Sequence, residues 1–163
     1  MAKVVSAANA GKGQYGELVR KIAKLGKCPF CPGEFEKYNP EPVYRHGGWF
    51  ASVSIRPYKY TKHHFLIISE EHKERLEDLT QEDALALLHI RNWLVHTYNL
   101  VGYTYFMRIG DLRHTNASVC HLHEHVIMPD VDRAWTLWER FLLRYFPKRL
   151  SVWAQLSNPA APK

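Results

Sequence analysis

The sequence predicts an α+β domain of about five antiparallel strands with two main helices and an additional N-terminal helix. Short β-branched and aromatic runs bounded by Gly, Pro or Asn indicate the strands, and segments with apolar residues at helical spacing indicate the helices. A length of 163 residues suits one domain, and 46% hydrophobic with 23% charged residues is typical of a globular chain. No apolar run approaches the ~18 residues of a membrane span, so no membrane partner is expected.

The charge divides the chain into three parts. The net charge is +6, but residues 1–27 carry six basic residues against one Glu, as do residues 133–163, whereas the middle is acidic overall. We therefore predict an N-terminal basic arm and helix over 1–27, the main domain over 28–150 and a C-terminal tail over 151–163. A polyanion-binding surface across the whole domain is disfavoured, and nucleic-acid binding stays an alternative for the basic ends only.

The N-terminal part is expected to begin with a frayed arm of about a dozen small and polar residues. A helix follows from Tyr15 to Leu25, where apolar residues recur at helical spacing and Gly26 ends the segment. We expect it to dock on the core; a basic helix facing a membrane or nucleic acid is the alternative.

Three strands and a helix are predicted next. Residues 43–46 and 49–55 form a hairpin around Gly47-Gly48, and residues 64–68 form a third strand. Thr80 is expected to cap a helix, since acidic residues occupy its first turn. Hydropathy assigns its buried face to Ala84, Leu87, Leu88, Leu94, Val95 and Tyr98, with Arg91 interrupting this face near a surface.

Two strands and one helix complete the prediction. The strands cover residues 103–109 and 122–128, and Asp132 is expected to cap a final helix over 133–146. Because that helix is apolar beyond one face, we expect a second surface to cover it and predict a homodimer.

The strongest chemical signal is the sequence His-Leu-His-Glu-His at residues 121–125. Alternate residues of a strand point to the same face, with ~6–7 Å between neighbours, so His121, His123 and His125 are expected on one side and Glu124 on the other. Imidazole serves in proton transfer, nucleophilic attack and metal binding. This face is therefore predicted to be a catalytic or metal site, with Glu124 either in contact with solvent or a second copy, or perturbing the site.

Cys28-Pro-Phe-Cys31 is the second signal. The pair can be half of a zinc site, a redox pair or an accident. No strand precedes it, which argues against a thioredoxin-like role, and Cys120 is the only other thiol. A zinc site would therefore need two histidines as its remaining ligands. An odd cysteine count and the absence of a secretory h-region favour a reducing, cytoplasmic location.

Three segments together resemble the histidine-triad (HIT) superfamily, in its zinc-containing branch. They are the knuckle Cys-Pro-Phe-Cys-Pro-Gly-Glu, the Pro-Tyr loop and apolar strand within residues 56–72, and residues 108–125, which end in the triad. The resemblance implies a nucleotide hydrolase or transferase that acts at the α-phosphate through a nucleotidyl-histidine intermediate. Phosphorolysis of dinucleoside polyphosphates and a nucleotide- or nucleic-acid-binding module with a weak active site are the alternatives.

The resemblance also implies roles for individual residues. His123 would be the nucleophile, His125 would contact the phosphate and help protonate the leaving group, and His64 would pack against the nucleophile. Ser118, Asn116 and Arg108 are the candidates for binding substrate phosphate, and an ion pair between Arg108 and Asp111 is the other reading of Arg108. The ligands implied for a structural Zn²⁺ are Cys28, Cys31, His72 and His121.

Overall fold

A computed structural model describes residues 4–10 and 13–131 and confirms the predicted α+β fold. Its five strands form one antiparallel sheet in the order β1-β2-β3-β5-β4. No helix within the described residues is long and apolar enough to cross a bilayer. The predicted final helix lies outside the described residues. The elements are α1 (Gln14–Leu25), β1 (Tyr44–His46), β2 (Trp49–Val53), β3 (Thr61–Ser69), α2 (Gln81–Tyr98), β4 (Thr104–Met107), α3 (Leu112–Thr115) and β5 (His123–Pro129).

The predicted hairpin joins β1 and β2 through two glycines. Gly47 and Gly48 both adopt positive φ, at 56° and 77°, as a two-residue turn between right-twisted strands requires. Gly47 is constrained further, because a Cβ there would lie 2.8 Å from the Cβ of Ala86 in α2. The turn therefore allows the helix to approach the sheet closely.

Helix α2 covers one face of the sheet, which we call the helix face. Thr80 caps it as predicted: its hydroxyl accepts from the Asp83 amide at 3.2 Å, and the Asp83 carboxylate accepts from the Thr80 amide at 2.8 Å. The same carboxylate accepts from the Trp49 indole N–H at 2.7 Å and the Lys73 ammonium at 2.6 Å. Burial alone would raise the pKa of Asp83, but these donors lower it to about 2.

The buried stripe of α2 differs from the one that hydropathy predicted. Ala84 is exposed and Leu88 is 50% exposed, whereas Ala86 and Ile90 are buried. Asp83 is hydrogen-bonded to Trp49 and Lys73, and this orientation of the helix makes Asp83 the first residue of its buried stripe. Hydropathy cannot assign such a residue to the interior. The buried residues of the stripe are Asp83, Ala86, Leu87, Ile90 and Leu94.

The opposite side of the sheet, which we call the histidine face, is covered by the N-terminal segment and the CxxC knuckle. Val5 is 3% exposed and forms an antiparallel bridge with Val119, just before the triad. The Asn9 amide donates to the carbonyls of Leu112 and Ala117 at 2.6 and 2.7 Å. The expectation of a frayed arm is therefore wrong for residues 4–10, because backbone pairing and apolar burial fix them to the loop before the triad.

Glu124 points away from the histidines, as predicted, but it does not contact solvent. It is 5% exposed on the helix face, where Arg91 Nε lies 3.6 Å from Glu124 Oε1, too far for a hydrogen bond. Arg91 covers this carboxylate and stacks over the Tyr105 ring at 4.3 Å. Burial raises the pKa of Glu124 to about 7, an effect that Arg91 only partly offsets.

Replacing Glu124 with Gln is expected to stabilise the protein at pH 8. Between pH 4.5 and about 7 the folded protein keeps a proton on Glu124 that the unfolded chain has released, so stability falls as the pH rises through this window. Glu124→Gln should remove that decline and raise the free energy of unfolding at pH 8 by about 1–3 kcal/mol. Urea unfolding at pH 5 and pH 8 measures the effect, with exposed Glu41→Gln as the control. An equal stability difference from wild type at both pH values would contradict the prediction.

Candidate active site and metal centre

The register of β5 against β3 places two triad histidines on the histidine face. His123 pairs with Ile68 and His125 pairs with Leu66, so both imidazoles point to the same side, with ring centroids 5.1 Å apart. His121 lies just before the strand begins. The backbone therefore directs His123 and His125 into one cavity and leaves His121 at its margin.

The environment of His123 leaves one ring nitrogen free to react. Its Nδ1 lies 2.7 Å from the His121 carbonyl oxygen, an acceptor, so Nδ1 carries the hydrogen and donates it. Nε2 is then left with its lone pair. Burial, together with nearby Arg108, lowers the pKa of His123 and keeps the ring neutral. The Phe30 ring packs against it at 5.0 Å in an edge-on contact that restricts rotation.

A chain of hydrogen bonds gives His125 the other tautomer, with its hydrogen on Nε2. The Tyr58 amide donates to His64 Nδ1 at 3.2 Å, so the His64 hydrogen is on Nε2. His64 Nε2 lies 2.9 Å from His125 Nδ1, which must therefore accept, leaving an N–H at His125 Nε2. Burial and the neighbouring histidines lower the pKa of His64 to about 4 and that of His125 to about 2. His64 therefore donates its hydrogen to His125 and not to His123.

The cavity that these histidines enter has a volume of about 480 Å³. Ser118, Asn116 and Arg108 all line it, so the structure brings the predicted phosphate-binding candidates and the three histidines His64, His123 and His125 together. Arg56 and Lys59 line it as well, while none of its lining residues from the described part of the chain is Asp or Glu. The cavity is therefore suited to an anionic ligand.

Arg108 is held at the cavity by polar contacts. Its guanidinium donates to the Tyr58 hydroxyl at 3.1 Å and to the Asn116 carbonyl at 3.5 Å. The alternative ion pair with Asp111 is wrong, because Asp111 caps α3 and binds the Arg113 side chain instead. The short helix α3 was not predicted. The Asp111 carboxylate caps its N-terminus by accepting from the Arg113 amide.

Tyr58 and Tyr15 are cavity residues that were missed as site candidates. Tyr58 stacks on His125 at 5.8 Å and lies in the Pro-Tyr motif, which gave a signal that could have found it. Tyr15 lines the cavity from α1, where the sequence indicated only a docked helix. No local pattern relates Tyr15 to a triad more than 100 residues away.

The four predicted zinc ligands converge at the edge of the histidine face. Their ligand atoms all lie within 4.8 Å of one another. Cys28 Sγ is 3.3 Å from His121 Nδ1, Cys31 Sγ is 3.3 Å from His72 Nδ1, and the two Nδ1 atoms are 3.2 Å apart. Tetrahedral zinc, with bonds of ~2.0 Å to nitrogen and ~2.3 Å to sulfur, places its ligand atoms about 3.3–3.8 Å apart. These three separations, and the 3.9 Å between Cys31 Sγ and His121 Nδ1, are close to that range.

The outer contacts of the two histidines fix which nitrogen faces the cluster. His121 Nε2 lies 2.8 Å from the Ser69 carbonyl, and His72 Nε2 lies 2.9 Å from the Glu74 carboxylate. Both acceptors require a hydrogen on Nε2, so both Nδ1 lone pairs face each other. Two lone pairs at this separation repel unless a cation lies between them. The donor set and its second contacts therefore fit Zn²⁺.

The comparisons with known proteins agree with this architecture. The family model described as "Scavenger mRNA decapping enzyme C-term binding" matches residues 27–137, more than half of the chain. The chain belongs to this histidine-triad family. The search among curated proteins found no match.

Solved structures share the fold of this histidine-triad protein. The histidine triad nucleotide-binding protein from Candida albicans superposes with a TM-score of 0.54 at 19% identity, covering 71% of this chain and 94% of that one. A HIT family hydrolase from Clostridium thermocellum gives 0.51 at 23% identity, covering 63% and 90%. A hypothetical protein from Leishmania major gives 0.50 at 26% identity, covering 63% and 72%.

We expect this histidine-triad protein to be purified with one zinc ion per chain, held by the four-residue cluster. Cys31→Ser should release most of the metal and lower the melting temperature, because binding energy at a structural site is largely folding energy. Cys120→Ser is the matched control, since Cys120 is outside the cluster, and it should keep its zinc. Elemental analysis and thermal unfolding measure both variants. A wild-type protein without zinc, or equal zinc in both variants, would contradict the assignment.

Proposed function

We propose that this protein is a nucleotide hydrolase or transferase that attacks the α-phosphate through a covalent nucleotidyl-His123 intermediate. One observation carries the proposal: His123 presents a bare Nε2 lone pair beside the Nε2–H of His125, in a cavity lined by cations. A nucleophile and a hydrogen-bond donor held side by side are what displacement at phosphorus needs. Membership of the histidine-triad family supports it.

The first step forms a bond between His123 Nε2 and the α-phosphorus and breaks the bond from phosphorus to the leaving oxygen. The leaving group takes the electron pair of that bond, and the Nε2–H of His125 stabilises its charge as a donor. In the second step an acceptor such as water forms a bond to the same phosphorus and releases a proton to solvent. The N–P bond breaks, and its electrons return to His123 as the nucleotide is released.

The phosphate oxygens would be held by Ser118, Asn116 and Arg108. Arg108 is oriented by Tyr58 and the Asn116 carbonyl, so its guanidinium is placed before substrate arrives. Fixed donors of this kind stabilise the charge that develops on the equatorial oxygens without reorganising during the reaction. The roles assigned to Ser118 and Asn116 rest on their position in the cavity.

Zinc would act on the nucleophile from a distance. The ring of His121 belongs to the metal cluster, while its backbone carbonyl accepts the hydrogen bond from His123 Nδ1. Fixing the His121 ring therefore also fixes the group that sets the tautomer and direction of His123. The metal would have a structural role, because its four ligands Cys28, Cys31, His72 and His121 leave it no open position for the phosphate.

The acceptor in the second step distinguishes the candidate activities. Water gives hydrolysis, and inorganic phosphate gives phosphorolysis of a dinucleoside polyphosphate, which the cationic cavity also favours. A suitable panel is diadenosine triphosphate, diadenosine tetraphosphate, adenosine 5′-phosphoramidate and the mRNA cap dinucleotide, the last because the matched family model is named for a decapping enzyme. Product analysis with and without phosphate separates the reactions. Nucleotide binding with no turnover of any substrate would support the binding-module alternative.

His123→Ala and His121→Ala should fail in different ways. His123→Ala should keep its zinc and melting temperature but lose turnover by at least about 10³-fold and form no covalent adduct. His121→Ala should lose metal and unfold at a lower temperature. Zinc analysis, thermal unfolding and intact-mass detection of the adduct measure these outcomes. If only His123→Ala lost zinc, the roles of nucleophile and zinc ligand would be reversed. If both variants lost activity but kept zinc, the metal would be held by residues other than His121.

We also predict a homodimer. Sedimentation equilibrium at micromolar concentration should give twice the chain mass of 19.0 kDa. A 19.0 kDa particle would refute the prediction.

A further inference from the structure

The N-terminal segment forms part of the candidate site. Tyr15, near the start of α1, lines the cavity, and its hydroxyl oxygen lies 2.8 Å from Ser118 Oγ. The backbone at Ser118 and after it is also bound to the N-terminal segment: the Ser6 amide donates to the Ser118 carbonyl and the Cys120 amide to the Val4 carbonyl, both at 2.8 Å. Backbone and side chain thus fix Ser118 from the same segment.

Tyr15 is itself held in place. The Arg56 guanidinium lies over its ring at 4.2 Å, which is a favourable cation–π distance. Its helix neighbours Val19 and Ile22 are buried in a small apolar cluster with Val5 and Ala10. The hydroxyl therefore reaches Ser118 from a fixed ring on a docked helix and not from a free side chain.

We propose that Tyr15 is a positioning residue of the active site, which directs the Ser118 hydroxyl towards the substrate phosphate. The inference rests on the proposed function, in which Ser118 binds that phosphate. A serine hydroxyl has one hydrogen and two lone pairs, so when Ser118 donates to a phosphate its hydrogen bond with Tyr15 can persist only if Tyr15 donates. Tyr15 is that donor: a phenolic O–H donates to Ser118 Oγ, and Ser118 donates to the phosphate oxygen.

The charge distribution favours this direction of the hydrogen bonds. Phosphate oxygens are acceptors only, so the hydrogen at the substrate end must come from Ser118. Donors in series polarise one another, which strengthens the terminal bond to the anion. A phosphate placed beside Ser118 would therefore orient both hydroxyls, with Tyr15 acting only through Ser118.

A double-mutant cycle tests the proposal, with Tyr15→Phe, Ser118→Ala and the double variant. Tyr15→Phe removes the hydroxyl and keeps the ring under Arg56, so zinc content and melting temperature should stay at wild-type values. We expect it to lower kcat/KM by about 3- to 10-fold, the usual effect of one hydrogen bond, and Ser118→Ala by at least as much. The double variant should match Ser118→Ala within about twofold, because Tyr15 has no effect once Ser118 is removed. Exposed Tyr103→Phe, outside the cavity, is the matched control and should be unchanged.

Two results would overturn the inference. A Tyr15→Phe enzyme with wild-type kcat/KM means that the hydroxyl is not used, and losses that multiply in the double variant mean that Tyr15 acts independently of Ser118, as a structural residue would. If the wild type turns over no substrate, the proposed function fails, and the same cycle is then measured on the Kd of AMP by calorimetry. Coupling between the two sites in AMP binding would still support the positioning role, and its absence would overturn it.

Discussion

The candidate site depends on the antiparallel pairing of β5 with β3. This register places Ile68 opposite His123 and Leu66 opposite His125, and it turns Glu124 to the helix face. Because side chains alternate along a strand, a shift of one residue would bury both imidazoles under α2 and put the carboxylate in the cavity. The apolar core on each face opposes such a shift, so the same burial that stabilises the sheet also directs His123 and His125 into the cavity.

His121 takes part in both the Cys2His2 cluster and the environment of His123. Its ring faces Cys28, Cys31 and His72, and its carbonyl accepts from His123. The strand begins immediately afterwards, so backbone and side chain of one residue serve two neighbouring sites. An ion held by the cluster would therefore fix the carbonyl that orients His123 without itself entering the cavity.

The histidine face is completed by parts of the chain that are far apart in sequence. The knuckle contributes Phe30, the Pro-Tyr loop contributes Tyr58, and α1 contributes Tyr15. The knuckle and the Pro-Tyr loop carry recognisable motifs. Helix α1 has only amphipathic spacing, which predicts that it packs on the core but does not predict against which surface. The position of α1 depends on the folded chain, in which the bridge between Val5 and Val119 fixes the segment before the helix next to the triad loop.

The sequence by itself determined the α+β fold, the Gly47-Gly48 hairpin, the Thr80 cap and the side of β5 on which the histidines lie, because these follow from local periodicity and turn chemistry. Through the resemblance of short motifs it also predicted the four residues that the structure brings together at the edge of the histidine face. Only the tertiary structure decided the rotation of α2, the burial of Glu124 and the contact of Tyr15 with Ser118. Each of these depends on charges or hydroxyls that find buried partners across the fold, and neither hydropathy nor spacing along the chain specifies such partners.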